Sequence, residues 1–121
     1  MEEVGVLVVD DQPAFRQAMA TVVEATDGFV LLGSACSGEE ALVLAAALRP
    51  RLVLMDVHLP GIDGVEAARR LRAAGDGPGV VLLSTYEEDE VELDGCGAAA
   101  YVPKGLFGPD RLVDCWAAIP G

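Results

Sequence analysis

Apolar residues along this chain follow two alternating rhythms. Val4 to Val9 is a near-continuous apolar run rich in β-branched residues, the pattern of a strand covered on both faces of a sheet. Phe29 to Gly33, Leu52 to Met55, Val80 to Leu83 and the shorter Ala99 to Val102 repeat it to varying degrees. Between these runs the period lengthens to that of a helix. Phe15, Ala18, Met19 and Val22 fall at i, i+3, i+4 and i+7, and so do Ala41, Leu44, Ala45 and Leu48. Val65, Ala68 and Leu71 mark a third helix that should end near Gly75, and Leu112, Trp116 and Ile119 mark a last one after Pro109. Ser37-Gly38-Glu39-Glu40 has the form of a capping box, so the second helix should start there.

Strand and helix alternate from end to end. That order calls for parallel strands joined by right-handed crossovers, with helices on both faces: a doubly wound α/β domain. Ligands of such sheets bind at the carboxyl ends of the strands, near the point where strand order reverses.

Composition narrows the class. At 121 residues and 52% hydrophobic, the chain is one domain, residues 1–121, with enough apolar surface for a core. Twenty acidic against eight basic residues give a net charge of −12, which argues against direct nucleic-acid binding. The longest apolar stretch, Ala41 to Leu48, is eight residues, far below the roughly 20 of a membrane span. Met1-Glu2-Glu3 runs straight into a strand with no basic leader, so a cytoplasmic location is expected. Cys36, Cys96 and Cys115 lie far apart and suggest neither disulfides nor a zinc site; all three are expected as buried thiols.

Chemistry collects where the strands end. Asp10 and Asp11 follow the first apolar run, Asp56 the third, Ser84 and Thr85 the fourth, and Lys104 the fifth. In a parallel sheet these share one edge. Clustered carboxylates repel one another unless a cation compensates, and an oxygen-only donor set suits Mg²⁺. Lys104 is the only lysine, the other seven cations being arginine, and a compact ammonium suits contact with a carboxylate or a phosphoryl oxygen. Plainer readings stand beside these. Asp11 could cap the first helix, Ser84 could serve turn chemistry, Tyr101 could be an ordinary half-buried strand aromatic, and Lys104 could be a solvated loop residue.

Four motifs in order, Val-Val-Asp10-Asp11-Gln-Pro, Leu-Met-Asp56-Val-His-Leu-Pro60-Gly-Ile-Asp63-Gly64, Leu-Leu-Ser84-Thr85-Tyr86 and Ala-Tyr101-Val-Pro-Lys104, closely resemble the receiver domain of bacterial two-component response regulators. The wording is most similar to the subclass with a C-terminal helix-turn-helix DNA-binding domain. The resemblance covers essentially the whole chain. It implies a flavodoxin-like (βα)5 three-layer sandwich with strand order 2-1-3-4-5. It implies Asp56 as phosphoacceptor from a sensor histidine kinase or a small donor such as acetyl phosphate, with no turnover of an external substrate. Asp11, Asp56 and the backbone carbonyl of His58 would hold Mg²⁺ directly, Asp10 through water. Ser84 and Lys104 would contact the phosphoryl oxygens, and the rotamer of Tyr101 would follow phosphorylation.

The chain also departs from the pattern. Between Ser84 and Lys104 it is shorter than usual, so the fourth helix should be a shortened one of about two turns. Glu87 to Asp94 holds six acids in eight residues, leaving Val91 and Leu93 as its apolar anchors. In the family that helix, the fifth strand and the fifth helix form the output face, so a homodimer through it is left open. Gly105 follows Lys104 where proline is frequent, which predicts a looser loop. His58 reads as an exposed loop residue before it reads as a tuner of phosphoryl lifetime. Two other functions share the residues: a pseudo-receiver whose output ignores phosphate, and a small Mg²⁺-dependent phosphohydrolase.

Overall fold

The computed structural model describes residues 3–73, 77–84, 98 and 100–119. Strands β1 (Val4–Val9), β2 (Phe29–Ala35), β3 (Leu52–Asp56), β4 (Gly79–Ser84) and β5 (Ala100–Pro103) form one parallel sheet in the order β2-β1-β3-β4-β5. Helices α1 (Pro13–Ala25), α2 (Gly38–Leu48), α3 (Gly64–Ala73) and α4 (Pro109–Ala117) complete the described elements, with one 3₁₀ turn at Lys104–Leu106. The shortened helix expected between β4 and β5, including Val91 and Leu93, lies outside the described residues, as do the Gly75 helix end and Cys96.

Side chains alternate across each strand, so the sheet has two apolar faces and the domain three layers. Leu7, Val9, Val53, Met55, Val80 and Leu82 pack beneath α2 and α3, which contribute Ala41, Ala45, Ala67, Ala68 and Leu71. Val6, Val8, Leu52, Leu54, Val81 and Leu83 point the other way, beneath Met19 and Val23 of α1 and Leu112 and Cys115 of α4. The three central strands are buried on both faces, which is why they read as unbroken apolar runs. Each such side chain removed from water contributes about 1.5–3 kcal/mol. β2 is an edge strand, half exposed, and runs two residues beyond the Phe29–Gly33 expected because Ser34 and Ala35 still pair with Val8 and Val9.

Helix faces differ in detail from their sequence stripes. In α1 the buried residues are Met19, Ala20 and Val23, while Phe15 and Val22 are half-buried and Ala18 is exposed. The sheet-facing side is therefore rotated by about one position; Phe15 and Val22 instead flank Phe107 and Lys104, toward the start of α4. α2 buries Ala41 and Ala45 but leaves Leu48 exposed near its end, and in α4 Cys115 joins Leu112 in the core with Trp116 half-buried. The capping box holds, with a shift. Ser37 Oγ accepts the Glu40 N–H at 3.0 Å, and Glu40 Oε1 accepts the Cys36 N–H at 2.7 Å, one residue earlier than the reciprocal bond of the usual box. Cys36 is exposed, which corrects its expected burial: it sits in the β2–α2 connection, where its backbone N–H is donated to Glu40. No described helix is long and apolar enough to cross a membrane.

Candidate functional site

The end of β1 fixes the first acid. Asp10 continues the β1–β2 pairing by donating its N–H to the Ala35 carbonyl at 3.1 Å, and its side chain is fully buried. Its Oδ1 accepts the Gln12 N–H at 2.9 Å, and Arg16 Nη1 donates to its carbonyl at 2.8 Å from the first turn of α1. Gln12 rather than Asp11 occupies the N-cap of α1 and makes no side-chain cap bond, so the capping role open to Asp11 is not the one it plays. Asp11 is exposed above the site.

Asp56 is the last residue of β3, and its side chain is 7% exposed. Its Oδ1 accepts the N–H of His58 at 3.2 Å; the His58 side chain is exposed, as the loop reading expects. The following loop folds tightly over this carboxylate's backbone. Gly64 N–H donates to the Val57 carbonyl at 2.8 Å, and a Cβ on Gly64 would lie 2.2 Å from the Asp56 carbonyl oxygen, so only glycine fits there. From α2, Glu39 Oε2 accepts the Ile62 N–H at 3.1 Å beside Gly61, which has φ +71°. That hydrogen bond holds the exposed Glu39 carboxyl below the usual carboxylate range. Asp63 Oδ1 accepts the Glu66 N–H at 2.8 Å and so caps α3.

Lys104 reaches the acids from the far edge of the sheet. Its Nζ lies 2.7 Å from Asp10 Oδ2 and 3.4 Å from Asp56 Oδ2, with only 5% of its side chain exposed. The reading of Lys104 as a solvated loop residue is thereby excluded. The contact to Asp10 is ionic but off the angle of a hydrogen bond, so Asp10 Oδ2, though buried, has no hydrogen-bond partner among the described residues. The ammonium also lies over the Phe15 ring, 4.0 Å from its centroid. Ser84 closes β4, fully buried and paired in register with Pro103, and Tyr101 is half-buried against the α2–α3 side of the core. Thr85 lies outside the described residues.

One oxygen each from Asp10, Asp11 and Asp56 lies within 4.8 Å of the others. Burial raises the Asp56 carboxyl above its ordinary value; Lys104 and the His58 N–H pull it back, and the neighbouring Asp10 charge adds to the rise. A dense set of carboxylate oxygens, one of them buried without a hydrogen bond among the described residues, fits a hard divalent cation such as Mg²⁺, which takes oxygen donors.

Sequence comparison agrees with this geometry. Residues 6–116 match the response regulator receiver domain. The chain belongs to that family. It is 42% identical over 104 residues to the response regulator GacA of Pseudomonas protegens, covering 84% of this chain and 49% of GacA. It is 38% identical over 107 residues to the positive alginate biosynthesis regulatory protein of Pseudomonas aeruginosa, covering 88% and 43%. A signal receiver domain from Mycobacterium tuberculosis superposes with a TM-score of 0.87 at 29% identity, covering 95% of this chain and 97% of that one. A LuxR-family two-component response regulator from Aurantimonas sp. gives 0.84 at 27%, covering 97% and 84%. This receiver domain spans about half the length of the curated relatives it matches. Its five parallel strands in the order 2-1-3-4-5 are those of the flavodoxin-like receiver fold.

The sequence motifs pointed to Asp10, Asp11, Asp56, His58, Ser84, Tyr101 and Lys104; of these Asp10, Asp11, Asp56 and Lys104 meet at the strand ends, with the His58 amide beside them. Sequence reasoning missed three supports. Arg16 and Glu39 look like solvated helix residues, and Phe15 looks like part of a core stripe; no local pattern signals a partner on another element.

Proposed function

We propose that this receiver domain is a phosphorylation-dependent switch in which Asp56 accepts a phosphoryl group from a sensor histidine kinase. What carries the reading is the cluster of Asp10, Asp11 and Asp56 carboxylates within 4.8 Å, with Lys104 Nζ 2.7 and 3.4 Å from two of them. In the step itself an Asp56 carboxylate oxygen forms the new O–P bond as the donor imidazole's N–P bond breaks, and the imidazole keeps the electron pair. Transfer of this kind needs in-line positioning and neutralisation of the equatorial oxygens. Asp11, Asp56 and the His58 carbonyl would hold Mg²⁺, with Asp10 acting through water; when bound, the ion supplies that neutralisation and offsets the carboxylate repulsion. Lys104 and Ser84 contact the phosphoryl oxygens, and Tyr101 repacks on its half-buried site as Ser84 moves. A bias of about 1–3 kcal/mol on such a two-state element is enough to alter partner affinity.

The domain turns over no external substrate. Its output is transcription regulation through a DNA-binding segment beyond these residues, in the cytoplasm, with a homodimer as one route. DNA contact by this domain itself is disfavoured by the net charge of −12. The test is incubation with acetyl phosphate and Mg²⁺: wild type should gain one acid-labile phosphoryl group and Asp56→Asn none. Labelling that survives in Asp56→Asn would overturn the assignment.

A further inference from the structure

We infer that Phe15 is a positioning residue for Lys104, holding the ammonium against the carboxylates through its ring face. The inference rests on the reading of Asp56 as phosphoacceptor. Lys104 Nζ lies 2.7 Å from Asp10 Oδ2, 3.4 Å from Asp56 Oδ2 and 4.0 Å from the Phe15 ring centroid. Lys104 also borders open space. A cavity of about 70 Å³ runs beside it between Phe15, Met19, Val22, Leu83 and Phe107. That exceeds the roughly 30 Å³ share of a water molecule, so close packing of the stem does not by itself fix where the nitrogen sits.

The ring adds what packing omits. An ammonium over a phenyl face is attracted by the quadrupole, most strongly when both are shielded from water, as here where the lysine side chain is 5% exposed. Phe15 lies in the first turns of α1, the helix whose Arg16 also grips the Asp10 carbonyl. One turn of helix therefore sets both Asp10 and the cation that neutralises it. An aliphatic side chain of similar volume would fill the space and lose the attraction.

Lys104 is the only lysine, so lysine labelled with ¹³C at the ε position gives a single reporter. In wild type its ε-methylene signal should be shifted upfield by the ring current, and in Phe15→Leu it should move toward the position of free lysine. Initial labelling by acetyl phosphate and Mg²⁺ should fall about fivefold in Phe15→Leu and be retained in Phe15→Tyr and Phe15→Trp. Should Phe15→Leu fail to fold, ring-fluorinated phenylalanines at position 15 keep the shape while weakening the quadrupole, and the rate should fall step by step with fluorination. Equal rates across the fluorinated series, or an unshifted lysine signal in wild type, would overturn the inference while leaving Asp56 labelling intact. Failure of wild type to label at all would instead remove the phosphoacceptor reading, and this inference with it.

Discussion

Replacing Lys104 by methionine keeps the length of the stem and removes the one cation among the described residues that lies against both buried acids. At an effective dielectric of about 20, contacts of 2.7 and 3.4 Å correspond to gross attractions of about 6 and 5 kcal/mol. Desolvation of the three groups offsets most of this, and removing one partner from a buried pair costs about 3–5 kcal/mol net. For a domain whose total stability is about 5–15 kcal/mol, that is a large share. With an m-value of about 2 kcal/mol/M, the urea midpoint at pH 7 in EDTA should fall by about 2 M. Two conditions should restore it. Excess Mg²⁺ supplies positive charge to the same carboxylates, and acid protonates the raised Asp56 carboxyl. Lys104 is the largest influence lowering the raised Asp56 carboxyl, so in the variant that carboxyl rises further. A raised carboxyl stabilises the fold below the unfolded value, near 3.8, and loses that contribution as pH rises through its folded value. The deficit of Lys104→Met should therefore be small at pH 3.5 and grow toward neutrality, over a wider window than in wild type. A deficit independent of both pH and Mg²⁺ would refute the electrostatic account and assign the loss to packing alone.

Asp56→Asn should raise the Mg²⁺-free melting temperature at pH 7, because the ionised carboxylate is penalised by burial, and the gain should vanish as pH falls below about 4, where wild-type Asp56 is itself protonated; thermal melts from pH 3 to 7 in EDTA check the sign. Gly64→Ala should cost about 1–3 kcal/mol and slow acetyl phosphate labelling, since its Cβ would meet the Asp56 carbonyl oxygen at 2.2 Å, whereas Gly105→Ala, with nothing within 4 Å, should change stability by less than about 0.5 kcal/mol. Native protein should lose one rapidly reacting thiol toward an aromatic disulfide reagent on Cys36→Ser, and none on Cys115→Ser, because Cys36 is exposed and burial raises the Cys115 thiol.

The architecture was legible because double-sided burial leaves a visible trace. Val4–Val9 has both faces covered, so it reads apolar without alternation, and its ends coincide with those of β1. Once the strands are placed, the residues just past them are placed too, which is how Asp10, Asp56 and Lys104 could be brought together. What stayed hidden depends on contacts between elements. The α1 stripe differs from its buried face by one position because Lys104 and Phe107, distant in sequence, line the same space as Phe15 and Val22. Glu39 gives the same lesson: it carries a helix-surface residue's signature, yet its carboxylate accepts a backbone N–H from the loop after β3. Cys36 fails in the other direction, since the general tendency of free cysteine to be buried says nothing about a thiol in a connecting loop.

The unequal distances from Lys104 to the two acids give the proposed switch a starting position. Before phosphorylation the ammonium is nearer Asp10, which is wholly buried, than Asp56; the Oδ1 of each acid accepts a backbone N–H, from Gln12 and His58 respectively. Asp10 is the more deeply buried of the two acids, and the lysine sits nearer to it. A phosphoryl group on Asp56 reverses that balance by adding charge and acceptor oxygens on the Asp56 side. Lys104 need travel only a fraction of the way between two neighbours it already touches, beside open volume and with the Phe15 ring centroid 4.0 Å from its nitrogen. The short path matters because the long, flexible lysine loses little further conformational freedom in taking it. A substitution that lengthens the path should therefore slow transfer more than it lowers stability. Lys104→Arg is the decisive case: it keeps the charge but places a planar fork where a compact ammonium fits, so its urea midpoint should stay near wild type while labelling falls by at least tenfold. Equal losses in both measurements would mean that Lys104 acts only as a structural counter-ion.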